Sequence, residues 1–144
     1  ILFTVSPVRH TKEGLHENTL SKSILHLAVH SLVNKFSHCY YFPAYEIMTD
    51  ELRDYRFYKT DLIHPNEWAI DYIWDQITHT HFDETTFKLY EKLKVLLKSI
   101  EHRPFNPNSD QHQKFIIETL DKTRIFSDTL DLTKEIEQLK KLLR

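Results

Sequence analysis

The sequence predicts an α/β fold in which one strand-helix-strand unit is followed by helices alone. Three observations carry that reading. Ile1-Leu-Phe-Thr-Val5 is a continuous apolar run with a β-branched bias, closed by Ser6-Pro7, as expected of a strand buried on both faces. Leu20, Ile24, Leu27, Ala28, Leu32 and Phe36 then recur at spacings of three and four, the period of a helix that buries one stripe. Beyond Asp83 the apolar residues keep the helical period and no further strand is indicated.

Taken in order, the first strand leads through a polar loop bearing Arg9, His10, Lys12, Glu13 and Gly14 to a helix that Asn18 or Thr19 can cap. Cys39-Tyr40-Tyr41-Phe42 is a second short strand stopped by Pro43, so the opening forty-odd residues spell a βαβ unit with two parallel strands. Glu51 to Tyr58 is expected as a short helix dense in charge and aromatics, and Lys59 to Pro65 as a loop. Asn66 or Glu67 opens a helix to about Thr80, with Trp68, Ile70, Ile73, Trp74 and Ile77 on its apolar side. Asp83-Glu84 sits at the positive end of a helix from Thr85 to Glu101, seamed by Phe87, Tyr90, Leu93, Leu97 and Ile100. The Pro-Asn-rich stretch after Arg103 breaks it. Ser109 can cap the next helix, to about Phe126, and Leu132, Ile136, Leu139 and Leu143 mark a last one suited to a helical hairpin or short coiled coil. The expected domains are therefore residues 1–82, which hold the βαβ unit, and a helical extension over 83–144.

Composition narrows the function classes. A chain of 144 residues suits one compact domain, alone or with an appendage. Nineteen Lys and Arg against twenty-one Asp and Glu leave a net charge of −2, which lacks the surplus a nucleic-acid binder uses on phosphates. No apolar run approaches the roughly 18 residues of a membrane span, and no basic-then-apolar leader opens the sequence, so a soluble cytoplasmic protein is expected. Gly14 is the single glycine, where average usage of about 7% would give roughly ten. Gly-rich phosphate loops and the G-x-S-x-G nucleophile elbow are thereby excluded. The lone Cys39 makes no intrachain disulfide, fits a reducing compartment and offers no thiolate metal site. Opening on an apolar strand at Ile1 rather than on Met suggests part of a longer protein.

The residues that could carry chemistry are mostly histidines. Asp61-Leu-Ile-His64 places a carboxylate and an imidazole three residues apart in a loop, close enough for the acid to fix the ring tautomer as in the base and orienter of a nucleophilic triad. With ten aspartates and ten histidines in the chain, the spacing alone does not separate such a pair from a loop cap. His26 and His30 lie one helical turn apart, and His79 and His81 flank Thr80, yet no third ligand is indicated, so neither a metal nor another cofactor is expected. Ser6, at a strand exit, is the nearest internal serine, and Arg9 and His10 share its loop; these three are the candidate substrate-binding residues. The aromatics of residues 40–58 could stack on a sugar or base, but such clusters are more often core.

The string Asp61-Leu-Ile-His-Pro65-Asn-Glu67, after a strand and leading into a helix, resembles the last conserved block of the SGNH (GDSL-type) hydrolases. Ile1 to Val8 looks like that fold's fourth strand, and Tyr40 to Phe42 like its fifth. More closely, T-V-S-P-V-R-H (Thr4 to His10), Y-Y-F-P-x-Y-E-I (Tyr40 to Ile47), D-E-L-R-D-Y-R-F-Y (Asp50 to Tyr58) and D-x-x-H-P (Asp61 to Pro65) resemble the GSCFA-domain proteins, an SGNH-like bacterial family. The likeness covers residues 1 to about 80. It implies the C-terminal part of a flavodoxin-type three-layer α/β fold, with Asp61 and His64 as the acid and base of a serine esterase. It also implies what this chain lacks: the serine after the first strand, and the glycine and asparagine of the oxyanion hole after the second and third.

The implied partners are a small-molecule or carbohydrate ester and the N-terminal half of the same protein, without nucleic acid or membrane. Two parallel strands under one helix leave a strand edge and an apolar face that this missing half would cover. Self-association through the C-terminal helices is a further candidate. Competing with the hydrolase are a non-enzymatic helical interaction module, in which Asp61 and His64 merely cap a loop, and a degenerate fold that binds acylated sugars without turnover.

Overall fold

The structure, a computed structural model, describes residues 1–143. The chain is mostly helical, with one small parallel sheet, and divides into two compact units, Ile1–Phe82 and Asp83–Arg144.

In the first unit, strand β1 (Leu2–Phe3) pairs in parallel with β2 (Tyr40–Tyr41), Leu2 opposite Tyr40 and Phe3 opposite Tyr41, and helix α1 (Leu15–Lys35) makes the crossover. The first strand is shorter than the apolar run: Ile1 and Leu2 are exposed, and of this stretch only Val5 is buried. A two-stranded sheet gives β1 a neighbour on one side only, so the run's composition is not matched by cover.

Helix α1 differs from expectation at its start and in the face it buries. It begins four residues earlier, after Gly14, whose φ of 98° lies in the region that favours glycine. Asn18 is inside the helix, and its Oδ1 accepts the main-chain N–H of His10 at 3.1 Å. The buried residues of α1 are Asn18 and Lys22, at 9% and 7% exposure, whereas Ile24 and Leu27 stand 66% and 67% exposed, with Leu20 and Leu32 on the surface as well. The reason is hydrogen bonding. The loop after β1 carries main-chain groups that need partners, and a polar stripe on α1 supplies them.

After Pro43 the chain turns at once into helix α2 (Ala44–Glu46), which widens into a π-helical turn (Ile47–Glu51) closed by Leu52 N–H donating to Ile47 O. The helix expected over Glu51 to Tyr58 is therefore displaced. Ala44, Ile47, Met48 and Leu52 share the buried face, and Asp54 then accepts from Arg56 N–H to start a separate 3₁₀ turn, Tyr55–Phe57. Helix α3 (Glu67–His81) is capped by Asn66, whose side chain accepts from Ala69 N–H. The core joins Phe42, Ala44, Ile47, Met48, Leu52 and Ala69, with Phe57, Tyr58, Tyr72, Ile73 and Ile77 packed on it. Trp68, Ile70 and Trp74, expected on the buried side of α3, are exposed.

In the second unit, α4 (Glu84–Ile100) is capped by Asp83, α5 (Asp110–Phe126) by Ser109, and α6 (Thr133–Leu142) follows Leu132. Helix α5 packs on both α4 and α6. Leu96, Ile100, Ile116, Leu120, Leu132 and Leu139 form the core, flanked by Leu93, Leu97, Ile136 and Leu143. The buried Thr119 and Thr123 satisfy their hydroxyls on carbonyls four residues back.

Candidate active site

The site grows from the segment between the 3₁₀ turn and α3. Tyr58 and Pro65 form an antiparallel bridge, Lys59 N–H donates to His64 O at 2.8 Å and Leu62 N–H to Lys59 O at 2.9 Å, so residues 59–64 make a small closed loop. Pro65 is buried at its foot, and Asn66 ties it to the 3₁₀ turn by donating from its amide to Arg56 O.

At the tip, one carboxylate organises three donors. Asp61 Oδ1 accepts the N–H of Ile63 at 2.8 Å and of His64 at 3.0 Å, while Oδ2 lies 2.8 Å from His64 Nδ1. The His64 and Ile63 amides, followed by the ring contact, pull the Asp61 carboxyl down to about 2. An ionised carboxylate only accepts, so His64 Nδ1 carries the proton of this contact, and in the neutral imidazole Nε2 presents a lone pair. The side chains of His64 and Asp61 are 55% and 42% exposed. Beside His64 runs a groove of about 400 Å³, lined chiefly by apolar side chains including Val8, Phe42, Ile73 and Trp74.

The loop after β1 has different partners. Ser6 Oγ accepts the Val8 amide at 3.2 Å and Ser6 O accepts Lys22 Nζ at 2.6 Å, so Ser6 is engaged in its own turn and with α1. His10 Nδ1 lies 3.5 Å from Glu13 Oε2, and its Nε2 is buried without a partner among the described residues. Arg9 is turned onto the Asp61–His64 loop: its N–H donates to Ile63 O at 3.3 Å, Nη1 to Leu62 O at 3.2 Å and Nη2 to the Tyr58 hydroxyl at 3.3 Å, with the guanidinium 4.6 Å over the Tyr58 ring.

The other histidine pairs have separate occupations. His26 lies 3.6 Å from Glu46 and edge-on to Tyr45, and His30 Nε2 takes Asn34 Nδ2 at 2.9 Å. His79 Nδ1 donates to Asp75 O, and His81 contacts Thr80 Oγ1. Among the described residues no group of three or more His, Cys, Asp or Glu is placed to hold a metal ion, and no helix is long and apolar enough to cross a membrane.

Two residues around the site, Lys22 and Leu62, were not singled out from the sequence, and Tyr58 stood out only among the aromatics of residues 40–58. A lysine and an asparagine four apart, interrupting the pattern of α1, were the available signal for Lys22. For Leu62, at φ 59° the one non-glycine residue with positive φ among the described residues, nothing local announced the conformation.

Residues 1–77 match the GSCFA family, and residues 93–144 match the family described as GSCFA domain protein, C-terminal domain. No curated protein and no solved structure matches the chain.

Proposed function

This chain belongs to the GSCFA family, and we propose that it is the C-terminal part of an SGNH-type serine hydrolase acting on an ester (O-acyl) substrate. In this reading β1, α1, β2 and α3 belong to a flavodoxin-type three-layer α/β fold. The N-terminal half of the same protein supplies the neighbouring strands, the nucleophilic serine and most of the oxyanion hole. It would also cover the exposed stripe of α1 and Trp68, Ile70 and Trp74 of α3.

The observation that carries the reading is the 2.8 Å Asp61–His64 contact, with the acid held ionised and the His64 side chain partly exposed. His64 Nε2 takes the proton of the serine hydroxyl as the serine oxygen attacks the ester carbonyl. It returns that proton to the departing alcohol when the tetrahedral intermediate collapses to an acyl-enzyme. Water, deprotonated by the same nitrogen, then attacks the acyl carbon; the bond to the serine oxygen breaks, that oxygen takes the proton back from His64 Nε2, and the acid is released. Asp61 holds the tautomer and stabilises the imidazolium in both halves. The substrate class is a small-molecule or carbohydrate ester.

The alternative, a helical interaction module, draws on Val95, Ile117 and Ile125, which are exposed on α4 and α5. The two readings separate by treating the full-length protein with a fluorophosphonate probe, wild type beside His64→Ala, and mapping the adduct. Labelling of a serine outside this chain that is lost in the variant supports the hydrolase. Absence of labelling from the wild type favours the module or a binding fold without turnover.

A further inference from the structure

We propose that Arg9 is a positioning residue for His64, holding from the β1–α1 loop the two peptide groups on which the Asp61–His64 pair is built. The consequence for catalysis rests on the hydrolase reading above; the positioning itself does not.

The argument begins with what holds the loop. Asp61, Leu62 and His64 are all exposed, so little apolar burial fixes residues 59–64, and hydrogen bonds must do it. Two peptide groups matter most. In the one joining Leu62 to Ile63, the N–H end donates to Asp61 Oδ1 at 2.8 Å and the carbonyl end accepts from Arg9 Nη1 at 3.2 Å. In the next, joining Ile63 to His64, the N–H end again goes to Asp61 Oδ1, at 3.0 Å, and the carbonyl end accepts from the Arg9 main-chain N–H at 3.3 Å. Arg9 and Asp61 thus grip opposite ends of the same two peptide planes. A donor on each carbonyl polarises its amide and strengthens the N–H bond to Asp61.

Leu62 shows why such a grip is needed. Its φ of 59° is unfavourable for a side chain with a Cβ, and a loop holding it must be stabilised from outside. Released, the loop relaxes by turning the Asp61–Leu62 peptide, the one that sets Leu62 φ, which withdraws the Leu62 N–H from Lys59 O. The Ile63 and His64 amides then shift against Asp61, and the carboxylate is free to leave His64 Nδ1. Arginine suits the task because one planar group serves Leu62 O and the Tyr58 hydroxyl from two nitrogens while its face lies on the Tyr58 ring. A lysine ammonium keeps the charge and loses the fork. Tyr58 is half-buried against the core, so the guanidinium also references the loop to a fixed point.

The test compares the full-length wild type with Arg9→Lys and Arg9→Met, reading the His64 Nδ1–H resonance by NMR and the rate of fluorophosphonate labelling. Both variants are expected to broaden or shift that resonance and to slow labelling by about tenfold to a hundredfold, the loss typical of a base held out of line. Should either variant fail to fold, Tyr58→Phe, which keeps the ring and removes only the hydroxyl partner, is read for the same resonance. A wild-type His64 resonance in Arg9→Lys, or in Tyr58→Phe where that variant stands in, would overturn the proposal. Labelling absent from the wild type defeats the hydrolase reading instead, and leaves the resonance to decide the role of Arg9.

Discussion

The two units of this chain treat their apolar residues in opposite ways. In Asp83–Arg144 the residues that repeat at three and four are the ones that end up inside: Ile100, Ile116, Leu120, Leu132 and Leu139 are all buried. In Ile1–Phe82 the repeating residues of α1 face outward, and the surface that packs is the polar one of Asn18 and Lys22. Helical periodicity reports where an apolar stripe lies on a helix. It does not report what covers the stripe. Three consecutive helices can cover one another through short connections, whereas a parallel sheet is covered by elements distant in sequence. The same difference holds at the Asp61–His64 loop, which is tied by hydrogen bonds to a segment some fifty residues upstream rather than by its own burial.

The contrast can be broken or sharpened by substitution. The largest effect belongs to the proposed acid and base: under the hydrolase reading, His64→Ala in the full-length protein should lower the labelling rate by about a thousandfold or more. Circular dichroism should stay unchanged, and a variant labelled at the wild-type rate would remove His64 from the proposed role. Next come the cores. Leu139→Ala, at a site 1% exposed, is expected to cost about 2–5 kcal/mol in urea unfolding of the chain. Ile24→Ala on α1 should stay within about 0.5 kcal/mol in the same assay. Equal losses would erase the distinction between the units. Under the hydrolase reading the loss for Ile24→Ala should grow in the full-length protein, where the N-terminal half is proposed to cover the α1 stripe.

Lys22→Met tests the polar face directly. The ammonium donates to Ser6 O at 2.6 Å and burial draws its pKa below the usual lysine value, so its loss leaves a carbonyl unpartnered, at about 1–3 kcal/mol. A stability equal to the wild type would make the bond incidental.

The smallest effect is local and pH-dependent. The Asp61 carboxyl titrates at about 2 in the folded chain, below the ordinary value of about 3.9. The folded state therefore binds fewer protons than the unfolded one between these values. The stabilisation this confers on the loop is complete above the ordinary pKa and is lost as pH falls through about 2. The Ile63 and His64 amide resonances should follow that midpoint and cease to do so in Asp61→Asn. A midpoint near the ordinary aspartate value would show that the three contacts to Asp61 do not form in solution.

Much of the local structure was legible because local groups decide it. Asn66 and Ser109 were readable at helix starts and Asp83 as a charge at a helix's positive end, and each accepts an amide three residues on. The strand-helix-strand order followed from the apolar run, the period of α1 and the Pro43 stop. The helix expected over Glu51 to Tyr58 lies earlier because Ala44, Ile47 and Met48 have helical spacing and Asp54 breaks the run by capping a new turn. The Asp61–His64 spacing was visible, yet it would read the same for a loop cap.

The sequence by itself determined the starts of α3, α4 and α5, the helical periods, the parallel βαβ order and the pairing of an acid with an imidazole three residues apart, since each depends on groups within a few residues of one another. Only the tertiary structure decided which face of α1 is buried, that Leu62 adopts a left-handed conformation, and that Arg9 reaches across to the carbonyls behind Asp61 and His64. Those outcomes depend on which distant main-chain groups need partners, and backbone hydrogen-bonding demand is nearly the same for every residue type.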